Sequence, residues 1–405
     1  MSENVNQIID SFALNSKFNQ GVVSSDRLLP TPFERAQAFY LNTWREIQCA
    51  PTLDWGAVDH SFQFPASVRI CSSMFLRVEL PENANKWLSN IGQHIVKSIK
   101  IKSGGRTPIF YDDYRLYIQD YLSSLSNEAH AAFTKAYLGG YQAAGAETAG
   151  ARTVYIPILL PNSHFLHREH RNSKAGSGVL PCNFENNKLE ICVSLHPATY
   201  PLVDGGTADS LVGNLRWCIR EVQMNEANMV RYESARGSFS QITRQFTTVH
   251  GDNYRFVESA SEEKTEEIIF QRMSGTVTEL LVFAVPVSNE AEEVKYLDTQ
   301  VRPKSVQLWV DSILVREYKT ADFLTLELYK QGFIENSVAQ TVTRVCFGSH
   351  VSSRQFTGGF NMANCSNVRL KVTWPAGQNV KYQVRCSRLE NLQIDSTGTL
   401  RSSLE

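Results

Sequence analysis

The run Val68-Arg-Ile-Cys-Ser-Ser-Met-Phe-Leu-Arg-Val-Glu-Leu80 decides how the rest of the chain is read. Its even positions Val68, Ile70, Met74, Leu76, Val78 and Leu80 are apolar, and Arg69, Arg77 and Glu79 stand between them. Side chains on an extended strand point alternately to opposite faces, so the pattern predicts a strand with one buried face and one wet face. The alternation recurs at Leu189, Ile191, Val193 and Leu195, and again at Val306, Leu308 and Val310. It closes with Val368, Leu370, Val372 and Trp374, then Val380, Tyr382, Val384 and Cys386. The intervening Pro375-Ala-Gly-Gln-Asn379 predicts a five-residue hairpin loop.

Two continuous apolar runs, Val154–Leu160 and Leu280–Val287, predict further strands. Pro157 and Pro286 place those strands at ends, edges or bulges, because proline cannot donate to a ladder. One stretch breaks the pattern. From about Tyr111 to Leu138 the sequence predicts a helix, with Asp112 and Asp113 in its first turn and Gly139-Gly140 as its stop. It reads as an insertion between strands. Ala143–Gly150 is then expected to form a mobile loop, and Glu258–Glu267 a solvated charged one.

A chain of 405 residues suits two domains of about 150–200 residues each. Strands on both sides of Pro201-Leu-Val-Asp-Gly-Gly-Thr207 predict two all-β units, divided as 26–205 and 206–405. Residues 1–25 are expected to form an arm. Val5, Ile8, Ile9, Phe12 and Leu14 give it an intermittent apolar pattern, and Lys17 is its only basic residue.

Net charge is −1, from 40 basic and 41 acidic residues, which argues against wholesale phosphate neutralisation. The eight cysteines form no CxxC pair and sit mostly in apolar runs, so buried free thiols are expected rather than zinc. The N-terminus has no basic segment followed by an apolar core, and no apolar run reaches the roughly 18–20 residues of a membrane span. Cytoplasmic synthesis is expected.

The most tempting chemistry is His164, His167 and His170, at i, i+3 steps. They lack the HExxH spacing and lie between Pro161-Asn-Ser and Asn172–Gly178, so solvated loop histidines are expected, not a metal site. No His-x-His pair of the kind a cupin uses occurs. Ser103-Gly-Gly105 and Val203-Asp-Gly-Gly206 lack a Walker lysine and read as tight turns. No catalytic, cofactor-binding or metal-binding residue is assigned.

Several segments resemble, in order, the major capsid proteins of nucleocytoplasmic large DNA viruses, polinton-like viruses and virophages. They are Phe75–Pro81, Trp87–Gly105 with its Asn-Ile-Gly-Gln-His-Ile-Val-Lys-Ser-Ile core, and the aromatic-rich Phe110–Ile118. Tyr155–Pro161, Gly178–Cys182 and Leu189–Val193 follow. The second half supplies Val306–Arg316, Asp322-Phe-Leu-Thr325, Cys346–His350, Phe356–Asn367 and Val368–Val372. Phe356-Thr357 replaces the usual Pro-Ser, and Val310-Asp-Ser312 stands where many relatives have Asn-Gly.

The resemblance implies an all-β fold of two tandem eight-stranded jelly-roll barrels, with a helical insertion in the first. It implies a non-catalytic capsid protein of an icosahedral double-stranded DNA virus, located in the virion. The implied assembly is a pseudo-hexagonal homotrimer, meeting neighbouring capsomers and the penton and minor capsid proteins. The arm would contact a neighbour, a minor protein or an internal membrane. No cofactor and no sequence-specific nucleic acid is implied. A lectin-like or penton binding module and a cupin-type enzyme are the alternatives; oligomer number and bound metal separate them.

Overall fold

The computed structural model describes residues 40–83, 85–123, 127–140, 151–160, 180–183, 188–203, 206–224, 226, 240–248, 254–270, 276–294, 301–319, 342–347, 359–362, 365, 367–394 and 399–402. The N-terminal arm 1–25, the Ala143–Gly150 loop, Asp322–Thr325 and His164, His167 and His170 lie outside them.

The first unit contains β1 (Tyr40–Gln48), β2 (His60–Gln63), β3 (Ile70–Leu80), β4 (Val96–Ser103), β5 (Arg106–Tyr111), β6 (Arg152–Ile158), β7 (Leu180–Pro181), β8 (Leu189–Leu195) and β9 (Leu215–Met224). Helices α1 (Tyr114–Ser123) and α2 (Asn127–Tyr137) sit between β5 and β6. One sheet runs β1-β9-β3-β6, with β7 beside β3, and the other β2-β8-β4-β5. The second unit contains β10 (Ser240–Thr248), β11 (Arg255–Val257), β12 (Lys264–Phe270), β13 (Thr276–Val287), β14 (Ser305–Val310), β15 (Ile313–Tyr318), β16 (Thr343–Cys346), β17 (Phe360–Asn361), β18 (Val368–Trp374), β19 (Asn379–Ile394) and β20 (Leu400–Ser402). Its sheets run β10-β19-β13-β16 and β12-β18-β14-β15, with β11, β17 and β20 attached to the first of these.

Leaving aside the short additions β7, β11, β17 and β20, both units obey one rule. The first, eighth, third and sixth strands form one sheet, and the second, seventh, fourth and fifth form the other. All pairings are antiparallel. Two four-stranded sheets wound in this way are a jelly roll. Each half of the chain is one.

The alternating runs fall where expected. In β3 every second side chain from Met74 to Leu80 is buried and those between are half-buried. The continuous run Leu280–Val285 has a different cause. Leu280, Val282 and Ala284 enter the second barrel's core, whereas Leu281, Phe283 and Val285 join the core of the first. Strand β13 is covered on both faces, so neither face needs polar residues. Pro157 lies on the edge strand β6. Pro286 lies near the end of β13, beyond Glu279–Val282, the residues that β16 pairs.

Four expectations are corrected. Strand β9 pairs with both β1 and β3, so the boundary at 205/206 falls inside the first barrel and the division lies between Met224 and Ser240. The single helix is two, because Tyr111 ends β5 and α2 is a separate element. Gly139 and Gly140 do stop it, at φ of 86° and 62°, with Gly140 N–H donating to Thr134 O at 3.0 Å. Pro375–Asn379 is not a hairpin loop: β18 pairs with β12 and β14, while β19 pairs with β10 and β13, so the loop crosses between sheets. Lastly, the charged stretch enters β12 at Lys264. Its Glu267 reaches Arg369 at 3.1 Å and Lys371 at 3.7 Å across the sheet.

Candidate assembly surfaces and the joint between the barrels

Helix α1 is buried on all sides, from Tyr114 to Leu122, although it carries Arg115, Gln119 and Asp120. A helix apolar all round would belong in a core; one with buried charges must find partners for them. On the first barrel, the Tyr114 hydroxyl donates to Pro157 O at 2.6 Å and accepts from Leu159 N–H at 2.8 Å. Tyr117 packs edge-on to Tyr111, with ring centroids 4.6 Å apart.

The other side of α1 meets the outward face of β16, β13 and β19. In the register, Leu281 stands between Arg344 and Arg385, so the three form one row across three strands. Arg344 donates to Asp120 of α1 and, at 3.1 Å, to Glu279 of its own sheet, with all three side chains nearly inaccessible. Arg385 forks onto Asp112, just before α1, at 2.6 and 3.2 Å. It also donates from Nε to Gln383 at 3.1 Å and covers the Tyr117 ring. Arg115 points the opposite way, from the first barrel to the second. It donates to Val294 O at 2.6 Å and to the Tyr200 hydroxyl, and pairs with Asp113 at 3.2 Å.

Electrostatics follow from this crowding. Burial pushes the Asp113 carboxyl up, but Arg115 and Arg385 outweigh it and hold the group below its usual range. His196 stacks on Tyr200 with centroids 4.0 Å apart, and burial together with Arg115 pushes it down to about 3. Burial raises the phenols of Tyr200 and Tyr254 at the same place. Around the pairs lies an apolar seam. Leu281, Phe283, Val285, Val294, Val342 and Leu400 of the second unit are continuous with the first barrel's core. The Leu400 N–H also donates to Ser103 Oγ at the end of β4.

The joint thus covers the β4–β5 side of the first barrel and the β13 sheet of the second. Among the described residues, two broad faces lie outside the joint. On the first barrel's β1-β9-β3-β6 sheet, Trp44 contacts Phe75, which stacks on Tyr137, and Tyr137 meets Tyr155 edge-on. Trp44 is 56% exposed and Tyr137 40%. Arg77 and Arg216 share Glu46 beside them. On the second barrel's β12-β18-β14-β15 sheet, Ile269, Arg369, Trp309 and Leu314 form one cross-strand row. Ile269 is 60% exposed, and the adjoining hairpin leaves Ile313 68% and Val315 51% exposed. Its tip, Asp311-Ser312, has positive φ at both residues, the turn that matches strand twist in a two-residue hairpin.

No protein-family model matches the chain, and no curated protein matches it. Solved structures do. The chain is similar to VP54 of PBCV-1, as fitted into a reconstruction of the virophage Sputnik, with a TM-score of 0.63 and 12% identity over 90% of this chain and 97% of that one. The Faustovirus major capsid protein gives 0.56 and 9%, covering 97% and 98%. The mavirus major capsid protein gives 0.55 and 12%, covering 89% and 90%. The fold is therefore a double jelly roll across both halves. At these identities the likeness speaks for the fold.

Proposed function

We propose that this chain is the major capsid protein of an icosahedral double-stranded DNA virus, a structural component of the virion without catalytic activity. It assembles as homotrimeric capsomers in which six barrels make a pseudo-hexagon. One observation carries the reading: two barrels of identical strand order are joined by the β4–β5 side of one and the β13 sheet of the other. Among the described residues, the complementary pair of faces, the first barrel's β1-β9-β3-β6 sheet and the second's β12-β18-β14-β15 sheet, lies outside that joint and carries exposed apolar side chains. A second copy docking head to tail would repeat the internal joint between chains.

The composition of those faces supports this. Trp, Tyr and Arg are the residues enriched where protein surfaces bind. The first face offers Trp44, Tyr137, Arg77 and Arg216, and the second an apolar row with Arg369 and Lys371. Exposed apolar residues on the edge strand β15 would invite aggregation in a lone monomer, and a partner that covers them removes the hazard. Neighbouring capsomers and the penton and minor capsid proteins are the further partners that such a role requires. The arm of residues 1–25 is the segment proposed to reach a neighbour, a minor protein or an internal membrane.

Light scattering coupled to size exclusion tests the proposal. The expected species is three copies of the 45.6 kDa chain. A pentamer would reassign the protein to a vertex, and a metal-loaded monomer would revive an enzyme.

A further inference from the structure

The joint contains more buried charge than its packing needs. Leu281, Phe283, Val285 and Val342 already supply an apolar seam, yet Arg344, Arg385 and Glu279 share the same face of the same sheet. Buried ion pairs are poor stabilisers: desolvation offsets most of their attraction, and apolar replacements of similar volume are often as stable or more so. What charges add is intolerance of misplacement, because a pose that separates a pair leaves both groups buried and unsatisfied. Hydrophobic burial has no such directionality.

The arrangement suits a device that fixes orientation. Arg344 and Arg385 stand on either side of Leu281, on strands flanking β13. They hold carboxylates at two separate points of one segment, Asp120 within α1 and Asp112 before it. One such contact would leave a swivel; two define the direction of the helix across the sheet. The third contact, from Arg115 to the Val294 carbonyl, runs from the other barrel and engages the segment after β13. A slip of α1 by one turn, about 5.4 Å, would break all of them together while leaving much of the apolar contact in place.

We propose that Arg344, Arg385 and their carboxylates Asp120, Glu279 and Asp112 are positioning residues for assembly. They set the angle between the barrels so that the joint inside one chain matches the joint between chains, and they contribute orientation rather than stability. The matching of joints rests on the trimeric reading above; the angle itself can be measured without it.

The test uses the full chain. Nitroxide labels on cysteines placed at the exposed Val58 and Ser261, one on each barrel, report the inter-barrel distance by pulsed electron resonance, in a Cys365→Ser background. The neutral variant is Arg344→Met, Asp120→Leu, Glu279→Met, Arg385→Met and Asp112→Leu. Its melting temperature is expected to equal or exceed the wild type's, while its distance distribution widens about twofold and its trimer yield drops about tenfold. Arg344→Lys with Arg385→Lys keeps every charge and guards against misfolding of the five-fold variant. It too is expected to widen the distribution, because an ammonium lacks the planar fork. Wild-type width in either variant overturns the proposal, and so does a lowered melting temperature with unchanged width. A wild-type chain that never trimerises overturns the trimeric reading instead, and leaves the width to judge the joint.

Discussion

His196 shows how one side chain ties the joint to pH. It lies against Tyr200, with burial and Arg115 pushing its imidazole down to about 3, while Asp113 opposes and Lys97 adds to the effect. An unfolded histidine titrates near 6.5, so between those values the unfolded chain holds a proton that the folded one refuses. Stability is therefore full above about pH 6.5 and declines as the pH falls, by about 2 kcal/mol at pH 5. Asp113, whose folded pKa is depressed, acts later and in the same direction: its contribution is lost only as the pH falls through its folded value. We expect the melting temperature of the wild type to fall between pH 7 and pH 5, and that of His196→Phe, which keeps the stacking ring, to fall less. Equal slopes in the two proteins would remove His196 as the cause.

Among the elements, α1 bears most on how the barrels meet, and Tyr114 anchors it. Its hydroxyl satisfies the Pro157 carbonyl and the Leu159 N–H, at the buried end of the edge strand β6. Tyr114→Phe would leave both backbone groups unpaired, and we expect it to cost about 1–3 kcal/mol in denaturant unfolding. A change below about 0.5 kcal/mol would mean that the helix is held by packing alone. The strands were legible because a barrel strand has two unlike faces, and β3, β8 and β18 declare theirs at every second residue. What alternation does not encode is which sheet a strand joins. That is why β18 and β19, adjacent in sequence and alternating in the same way, looked like a hairpin and are in different sheets. Nor does it say what covers an outward face. Arg385 lies between Val384 and Cys386 at a position that reads as wet, and Arg344 is likewise an ordinary strand arginine in sequence. Both are buried because another barrel lies over them, a fact about residues 224 and 273 positions away.

For the whole molecule, the two faces that the described residues leave outside the joint decide between modes of assembly. If each face met its own equivalent, each contact would be isologous and would join chains in pairs, alternately through one face and the other; if the first barrel's face meets the second barrel's, the contact is heterologous and must close a ring or run on as a filament. The internal joint already pairs unlike sheets, which favours the heterologous mode. Trp44→Asp places a charge on the first barrel's face alone, and Leu314→Asp on the second's alone. In a head-to-tail ring, each variant by itself lacks one half of every contact and is expected to be a monomer. Mixed, the intact second-barrel face of Trp44→Asp chains still meets the intact first-barrel face of Leu314→Asp chains. The product is a dimer that cannot grow, because both of its remaining faces carry the charge. Isologous contacts behave otherwise: each variant would dimerise alone through its undamaged face, and mixing would add nothing. A mixture that stays monomeric, or a single variant that still forms trimers, would show that these faces are not where the copies meet.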